Sequence, residues 1–289
     1  MLYEGVFNIK KIKVTLFNKD LLKQFGSVVS AVSIIFSLVV IFADIPDKIK
    51  PQLGYGFVVL LILGYITMWY WANKILCQKI RINNSTVEVK TGDIFSEPGL
   101  KAIAFNEYFD TQVDEVVIAS STLNGTFINQ KVNDIDALNT LIKDDIYMQE
   151  RIIEKNITRK NGKDLRYKLG SVLLYKQEYL ITAFSRFDDQ NKAYLYMPDY
   201  LEFLVNFWND VDRVYAGRSV TIPLFGSGIT RFRGYDMIND QELLEILIWS
   251  FKISRIKFTH PAQVTIIIHP DKKDRINFYD LKGGDCSVL

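Results

Sequence analysis

Residues 219–232 read Ser-Val-Thr-Ile-Pro-Leu-Phe-Gly-Ser-Gly-Ile-Thr-Arg-Phe and form the most informative local pattern in the chain. A predicted strand over Ser219–Leu224 runs directly into two glycines, Gly226 and Gly228. Glycine lets the backbone turn with positive φ, so that consecutive N–H groups can face one ligand. Such a loop suits a phosphate or diphosphate, and a simple turn is the alternative. It is not the dinucleotide-binding G-x-G-x-x-G pattern, because Arg231 occupies the position of the third glycine.

Two other segments place polar residues after predicted strands. In residues 87–95, Val-Glu-Val-Lys-Thr-Gly-Asp-Ile-Phe, the strand ends at Gly92 and Asp93 follows. A carboxylate there can accept a hydrogen bond from an adenine amino group, or it caps a turn. Residues 120–129, Ser-Ser-Thr-Leu-Asn-Gly-Thr-Phe-Ile-Asn, follow a predicted buried strand over Val113–Ala119. Small polar residues after a strand are typical of ligand loops in α/β sheets.

Helices alternate with strands in the remainder of residues 76–289, which predicts an α/β domain with a central mixed sheet flanked by helices. Further strands are predicted over Lys79–Lys90, with a turn at Asn83-Asn84, and over Lys168–Leu174, Tyr179–Phe184 and Val264–His269. Helices are predicted over Ile135–Glu154, Asp199–Val214 and Asp240–Phe251. Asp240 is the predicted N-cap of the last helix. The charged stretch Asn156–Arg166 is expected to be an exposed loop.

The N-terminal quarter of the chain carries two uncharged apolar stretches. No Asp, Glu, Lys or Arg occurs from Gln24 to Ala43 or from Pro51 to Asn73. About 20 helical residues cross the roughly 30 Å hydrocarbon core of a bilayer. We therefore expect a two-helix transmembrane hairpin in a domain over 1–75, with spans of about 25–43 and 52–72; a buried pair of soluble helices is the alternative. Residues 76–289 form the second predicted domain.

Charge and composition set the orientation and exclude several classes of protein. Basic residues are frequent before the first span and just after the second, so both termini are expected on the cytoplasmic side. A formal net charge of +2 does not fit a nucleic-acid binder. Two cysteines and two histidines without motif spacing predict neither a disulfide scaffold nor a metal site, and no cofactor is expected.

Taken in order, these segments resemble the macro domain, an α/β fold that binds ADP-ribose. Val-x-x-Gly-Asp-Ile over 89–94 is similar to the family's opening strand and adenine-contact motif, and residues 219–229 are similar to its diphosphate loop. The resemblance implies adenine contacts from Asp93 and Ile94, a first phosphate loop of Asn124, Gly125 and Thr126, and a second of Gly226, Ser227, Gly228, Ile229 and Thr230. Arg231 is a further candidate for contact with the distal part of the ligand, and an ordinary packing or surface residue is the alternative.

One segment departs from the family pattern. Residues 102–106, Ala-Ile-Ala-Phe-Asn, fall where the family has Ala-Ile-Val-Asn-Ala-Ala-Asn, and the chain continues Glu-Tyr-Phe-Asp to residue 110. The family's hydrolytic pattern is not reproduced, so binding rather than catalysis is expected. If the protein were a hydrolase, its base would come from Glu107, Asp110, Asp188 or Asp189. All four are expected to be solvated surface or turn residues.

A macro domain behind a two-span hairpin resembles the membrane-bound effectors of Thoeris-type antiphage defence in bacteria. That resemblance implies a TIR-domain enzyme as functional partner, which makes an ADP-ribose-derived signal, such as histidine-linked ADP-ribose, after infection. The chains would then bind the signal, form homo-oligomers and disrupt the inner membrane, in an abortive-infection response. The alternatives are a membrane-tethered ADP-ribosyl hydrolase and a membrane-anchored nucleotide-binding module without effector activity.

Overall fold

The computed structural model describes residues 12–42, 46–235 and 237–283, and its first two elements are long helices. Helix α1 spans Lys19–Phe42 and α2 spans Lys50–Ala72. The Asn18 side chain caps α1 by accepting hydrogen bonds from the amides of Asp20 (3.0 Å) and Leu21 (3.1 Å). The apolar side chains along both helices are largely exposed, and both helices are long and apolar enough to cross a membrane. The last residue of the predicted first span, Ala43, lies outside the described residues.

The remaining elements alternate as the sequence predicts. In chain order they are β1 (Cys77–Ile82), β2 (Ser85–Thr91), β3 (Leu100–Asn106), α3 (Leu123–Lys131), α4 (Ile135–Asp144), α5 (Ile146–Glu150), β4 (Ile152–Lys155), β5 (Leu165–Tyr167), β6 (Val172–Tyr175), β7 (Tyr179–Phe187), β8 (Ala193–Leu195), α6 (Met197–Val214), β9 (Val220–Pro223), β10 (Arg231–Phe232), α7 (Asp240–Ile253) and β11 (Val264–Ile268).

A mixed sheet organises these elements in the order β1-β2-β11-β9-β3-β7-β8-β10, with β6 also paired to β7. Strands β2, β11, β9, β3 and β7 run parallel to one another, while β6 and β8 run antiparallel to β7. Strand β11 reads Val-Thr-Ile-Ile-Ile and is buried along its whole length, because the sheet is covered on both faces. The predicted α/β class with a mixed central sheet is confirmed.

Each face of the sheet has its own helical layer and core. On one face, Phe127, Leu138 and Met148 from α3 to α5 pack with Ile103 and Ile181 of the sheet. On the other face the core is aromatic, with Phe184 of β7, Phe203 and Trp208 of α6 and Phe251 of α7. Burial of these large apolar side chains against the sheet stabilises both helical layers.

Three predicted elements differ in the structure. Residues 113–119 are not a strand but a turn, because Asp114 accepts hydrogen bonds from the amides of Val116 (3.0 Å) and Val117 (2.7 Å) and Glu115 has a φ of 64°. The predicted helix over 135–154 is broken where Asp145 starts α5 by capping the Met148 amide.

The third difference is at the start of α7. Asn239, not Asp240, is the N-cap, and it forms a reciprocal capping box with Glu242. Asp240 instead accepts a hydrogen bond from Arg275 at 3.4 Å.

The chain forms two compact units. One comprises the residues up to 78 together with those from 276 onward, and the other comprises residues 79–275. The C-terminal segment thus groups with the hairpin, whereas the predicted division into 1–75 and 76–289 assigns it to the other domain.

Candidate functional site

Several of the candidate ligand residues lie at one edge of the sheet, where the parallel strands have their carboxyl ends. Strand β11 separates β2 from β9, and its last carbonyl groups bond to the loops on both sides. Gly92 donates to the Ile268 carbonyl at 3.1 Å, and Leu224 donates to the Ile267 carbonyl at 3.2 Å. The Asp93 segment and the glycine loop therefore flank the end of β11, about 10 Å apart at two strand spacings. This edge is where α/β sheets bind ligands.

Asp93 caps the short 3-10 turn Ile94–Ser96. Its Oδ1 accepts a hydrogen bond from the Phe95 amide at 3.0 Å, and its Oδ2 accepts one from the Ser96 hydroxyl at 3.3 Å. Asp93 itself is exposed, while Ile94 is buried beneath it. The turn-capping alternative and a ligand-facing carboxylate are compatible here, because a carboxylate has about four acceptor positions.

The glycine loop, residues 224–230, is a tight turn followed by an open segment. Gly226 has a φ of 88°, and a Cβ there would come within 2.8 Å of the Phe232 ring. Ser227 donates its hydroxyl to the Leu224 carbonyl at 2.9 Å, which closes the turn. Gly228 and Ile229 are exposed, and a Cβ on Gly228 would meet no atom within 4 Å. Gly226 is thus required by the turn, whereas the backbone at Gly228 is accessible.

The connectivity of the sheet sets the course of the glycine loop. It leaves β9 and enters β10, which begins at Arg231 and pairs with β8. Because β3, β7 and β8 lie between those two strands, the loop has to cross from one side of them to the other. It therefore runs from the end of β9 to the region beyond β3 and β7.

Asn124, Gly125 and Thr126 occupy the first turn of α3 rather than a free loop. Thr122 is the N-cap, and its hydroxyl oxygen accepts a hydrogen bond from the Gly125 amide at 3.2 Å. The Thr126 amide bonds to the Thr122 carbonyl at 2.8 Å. A Cβ on Gly125 would overlap the Ala119 carbonyl oxygen, so a glycine lets this helix end approach the preceding turn. The positive end of the helix dipole remains as an attraction for an anion.

Asp110 is a buried anchor, contrary to the expectation of a solvated residue. It is 0% exposed, and its two oxygens accept hydrogen bonds from the two terminal guanidinium nitrogens of Arg159, at 3.1 and 2.6 Å. The Lys163 amide (2.7 Å) and the Asn106 side chain (2.9 Å) also donate to it. Two of these partners come from the stretch Asn156–Arg166, where residues 156–164 form a loop as expected, although the Arg159 side chain is buried rather than exposed. Its residues fold back because a buried carboxylate needs donors.

Lys163 shares this anchor. Its ammonium group donates to the Phe109 carbonyl at 2.5 Å. Burial lowers the pKa of Lys163 to about 8, and the attraction of Asp110 opposes that shift.

Glu107 lies in a second buried ionic cluster at the carboxyl end of β3. It is 2% exposed, with Arg186 at 3.3 Å and Arg166 at 3.8 Å. Burial raises the pKa of Glu107, and the two guanidinium groups oppose that rise. Arg186 also binds both oxygens of Asp199, at 3.0 and 2.8 Å, which lowers the pKa of Asp199. The expectation that Glu107 is a solvated residue is wrong as well.

Both carboxylates directly follow β3. Glu107 and Asp110 both form ion pairs with arginine, so these carboxylates stabilise the edge of the sheet and neither is a base exposed to solvent. Sequence periodicity gave no signal for this, because the partners Arg159 and Arg186 are 49 and 79 positions away from them. Asp188, by contrast, lies in a turn and pairs with Arg233 at 3.0 Å, and within the described ranges no three acidic, His or Cys side chains are grouped as metal ligands.

Comparison with known proteins gives matches by sequence and by structure. Residues 87–269 match the family described as "Thoeris protein ThsA, Macro domain". The Thoeris protein ThsA of Bacillus amyloliquefaciens (strain Y2) is 43% identical over 236 residues, which cover 80% of this chain and 77% of that protein. The matched range contains every candidate ligand residue, from Asp93 to Arg231.

Solved macrodomains of Oceanobacillus iheyensis are similar in structure. The macrodomain with MES bound has 13% identity and a TM-score of 0.44, covering 71% of this chain and 94% of the other. A mutant macrodomain with ADPR has 14% identity and a TM-score of 0.45, covering 71% and 96%.

Proposed function

The chain belongs to the Thoeris ThsA macro-domain family, and we propose that it is a membrane effector of antiphage defence that senses an ADP-ribose-derived signal. A TIR-domain enzyme makes the signal, such as histidine-linked ADP-ribose, and the macro domain binds it without acting as an enzyme. Binding drives oligomerisation and disruption of the inner membrane. The coarser part of this assignment, a Thoeris protein that binds an ADP-ribose-type ligand, follows from family membership.

The observation that carries the membrane role is the exposed hairpin. Side chains such as Ile41, Phe42 and Leu60 are mostly exposed, although α1 and α2 are apolar throughout. A soluble protein rarely leaves an apolar surface of this size in water. Lipid is the solvent that suits it, since both helices satisfy their backbone hydrogen bonds internally.

We assign the ligand to the edge of the sheet at which the parallel strands have their carboxyl ends. We place the adenine by Asp93 and Ile94, and the diphosphate over the exposed backbone of Gly228, with Ser227, Ile229 and Thr230 beside it. The first turn of α3, with Asn124, Gly125 and Thr126, adds the positive end of a helix dipole. Arg231 supplies a positive charge where the loop enters β10.

Signalling requires that the ligand prefer the assembled state of the protein. A preference of about 100-fold amounts to roughly 2.7 kcal/mol for each bound site. Several sites in one oligomer can then shift an equilibrium that a single site cannot. The membrane helices would be the output of this shift and the glycine loop its input.

Titration of the full-length protein in nanodiscs with ADP-ribose and with histidine-linked ADP-ribose tests the assignment. Gly228→Glu adds a carboxylate where the diphosphate is placed, and there is open space for the side chain. We expect it to weaken binding at least about 100-fold through charge repulsion and occlusion. Asn209→Glu, on the exposed side of α6, adds the same charge elsewhere and should bind as the wild type does.

Dye release from vesicles that contain the full-length protein tests the output. We expect release from the wild type and from Asn209→Glu on addition of the signal, and none from Gly228→Glu. Binding without release would favour the anchored binding module. Removal of ADP-ribose from a modified protein by the wild type would favour the tethered hydrolase instead.

A further inference from the structure

Three chain segments meet at one end of the hairpin and form what we call the collar: residues 12–18, 65–75 and 276–283. The first precedes α1, the second is the end of α2 and the residues after it, and the third follows the ligand-binding unit in sequence. All three belong to the same compact unit. Val14, Leu21, Ala72 and Tyr279 are buried together at the centre of the collar. The C-terminal segment therefore packs with both helix ends.

Asn73 fastens the first segment to α2. Its side-chain oxygen accepts hydrogen bonds from the amides of Lys13 (2.8 Å) and Val14 (2.9 Å). Its amide nitrogen donates to the carbonyl groups of Val14 (3.3 Å) and Trp69 (2.9 Å). The Trp69 indole also donates to the Val14 carbonyl at 2.8 Å. The bonds to Lys13 and Val14 satisfy backbone groups that lie outside any regular element.

Hydrogen bonds of Asn277, Tyr279 and Asp280 join the C-terminal segment to the chain on the α1 side. Asn277 donates to the Lys13 carbonyl at 3.1 Å. Asp280 accepts from Asn18, the residue that caps α1, at 3.2 Å. The Tyr279 hydroxyl donates to the Gln24 side chain, in the second turn of α1, at 2.9 Å. Residues 277–280 are thus attached to the start of α1 and the residues before it, over a separation of more than 250 positions.

The chain connects the hairpin to the ligand-binding unit at two points, between residues 78 and 79 and between residues 275 and 276. Helix α2 continues through residues 73–78 into the ligand-binding unit, so movement of that unit reaches α2 directly. Helix α1 has no such continuation, because its far end connects only to α2. The other covalent connection of residues 79–275 is the peptide bond from Arg275 to Ile276, and Ile276 is the first residue of the third collar segment.

We propose that residues 276–283 are a coupling segment that transmits ligand binding to α1. This inference rests on the proposed function and adds a route for it. The ligand-binding unit moves both helices, α2 through its direct continuation and α1 through Asn277, Tyr279 and Asp280. A hairpin whose two helices are moved together can rearrange in the bilayer as one body.

The test uses full-length protein in vesicles of phosphatidylethanolamine and phosphatidylglycerol, with histidine-linked ADP-ribose and ADP-ribose as probes. Asn277→Ala removes the bonds to Lys13 and Asp280 and the bond from the Tyr279 amide, whereas Tyr279→Phe removes the bond to Gln24. We expect the dissociation constant to stay within about twofold of wild type. A lost hydrogen bond of about 1 kcal/mol is a factor of about five, so the rate of dye release should fall about fivefold or more.

A double-mutant cycle tests whether the slower dye release comes from the hydrogen bond between Tyr279 and Gln24. Gln24→Ala and Tyr279→Phe each break the same hydrogen bond, so the double variant should release dye no more slowly than the worse single variant. Asn209→Ala, an exposed asparagine in α6, is the matched control and should leave both binding and release unchanged.

The outcomes separate the two proposals. Normal binding with slow release supports coupling through residues 276–283. Normal binding with undiminished release in Asn277→Ala and Tyr279→Phe overturns the coupling and leaves the proposed function intact. A wild-type protein that never releases dye overturns the proposed function, and the coupling with it. If Asn277→Ala fails to bind because it misfolds, the conservative Tyr279→Phe variant decides.

Discussion

At the scale of single residues, the most consequential feature is the pair of buried carboxylates after β3. Glu107 and Asp110 are enclosed by arginines that come from distant parts of the chain. A buried carboxylate is tolerated only when donors replace the water that it loses. In this chain both carboxylates hold the edge of the sheet together.

Removing the charge of Asp110 tests its structural role. Asp110→Asn leaves Arg159, which is itself buried, without its ionic partner, and we expect a loss of about 3–5 kcal/mol in the free energy of unfolding. Asp164→Asn breaks a largely exposed pair with Lys155 and should cost about 1 kcal/mol or less. Chemical unfolding followed by intrinsic fluorescence measures both. Equal losses in the two variants would contradict an anchoring role for Asp110.

At the scale of elements, the start of α3 depends on how closely it approaches the preceding turn. The sequence of residues 113–119 is apolar enough for a strand, yet Asp114 and Glu115 bind nearby backbone amides and turn the chain. The turn brings the Ala119 carbonyl against Gly125. Residues 124–126, which the sequence predicts to be a ligand loop, therefore also form the first turn of a capped helix.

Two glycine variants distinguish a packing glycine from an accessible one. Gly125→Ala gains about 1 kcal/mol of helix propensity but forces the new methyl group into the Ala119 carbonyl, so we expect a net loss of about 1–3 kcal/mol in stability. Gly228→Ala meets open space and should change stability by less than about 0.5 kcal/mol. Thermal unfolding of the two proteins in detergent gives the comparison. A stabilised Gly125→Ala protein would show that the turn relaxes freely.

At the scale of the whole molecule, a hairpin with an exposed apolar surface is joined to a ligand-binding unit by two covalent connections. The positive residues around the spans place both ends of the hairpin on one side of a membrane in our proposal, with the short loop on the other. A macro domain on the cytoplasmic side would have direct access to a signal made from intracellular nucleotides. The collar would then lie at the cytoplasmic surface of the bilayer.

Cysteine labelling in spheroplasts tests this orientation. Cys77 is exposed just after α2, and Asp47 is exposed in the loop before α2. In a Cys286→Ser background, a membrane-impermeant maleimide should label Asp47→Cys from outside and should label Cys77 only after the membrane is opened. The expected contrast is at least about tenfold. Labelling of Cys77 in intact spheroplasts would contradict cytoplasmic termini.

Local features of the sequence were sufficient for the α/β class, the two long helices, the buried strand β11 and the turn at Gly226. Each of these depends on periodicity, length or backbone freedom over a few consecutive residues, and such properties can be read from the chain itself. Only the tertiary structure decided that Glu107 and Asp110 are buried, that residues 124–126 begin a helix, and that residues 276–283 return to the hairpin. These features depend on which side chains meet across 49 to 262 positions. Local patterns carry no record of that pairing, because strand order and chain return are set by the packing of the whole molecule.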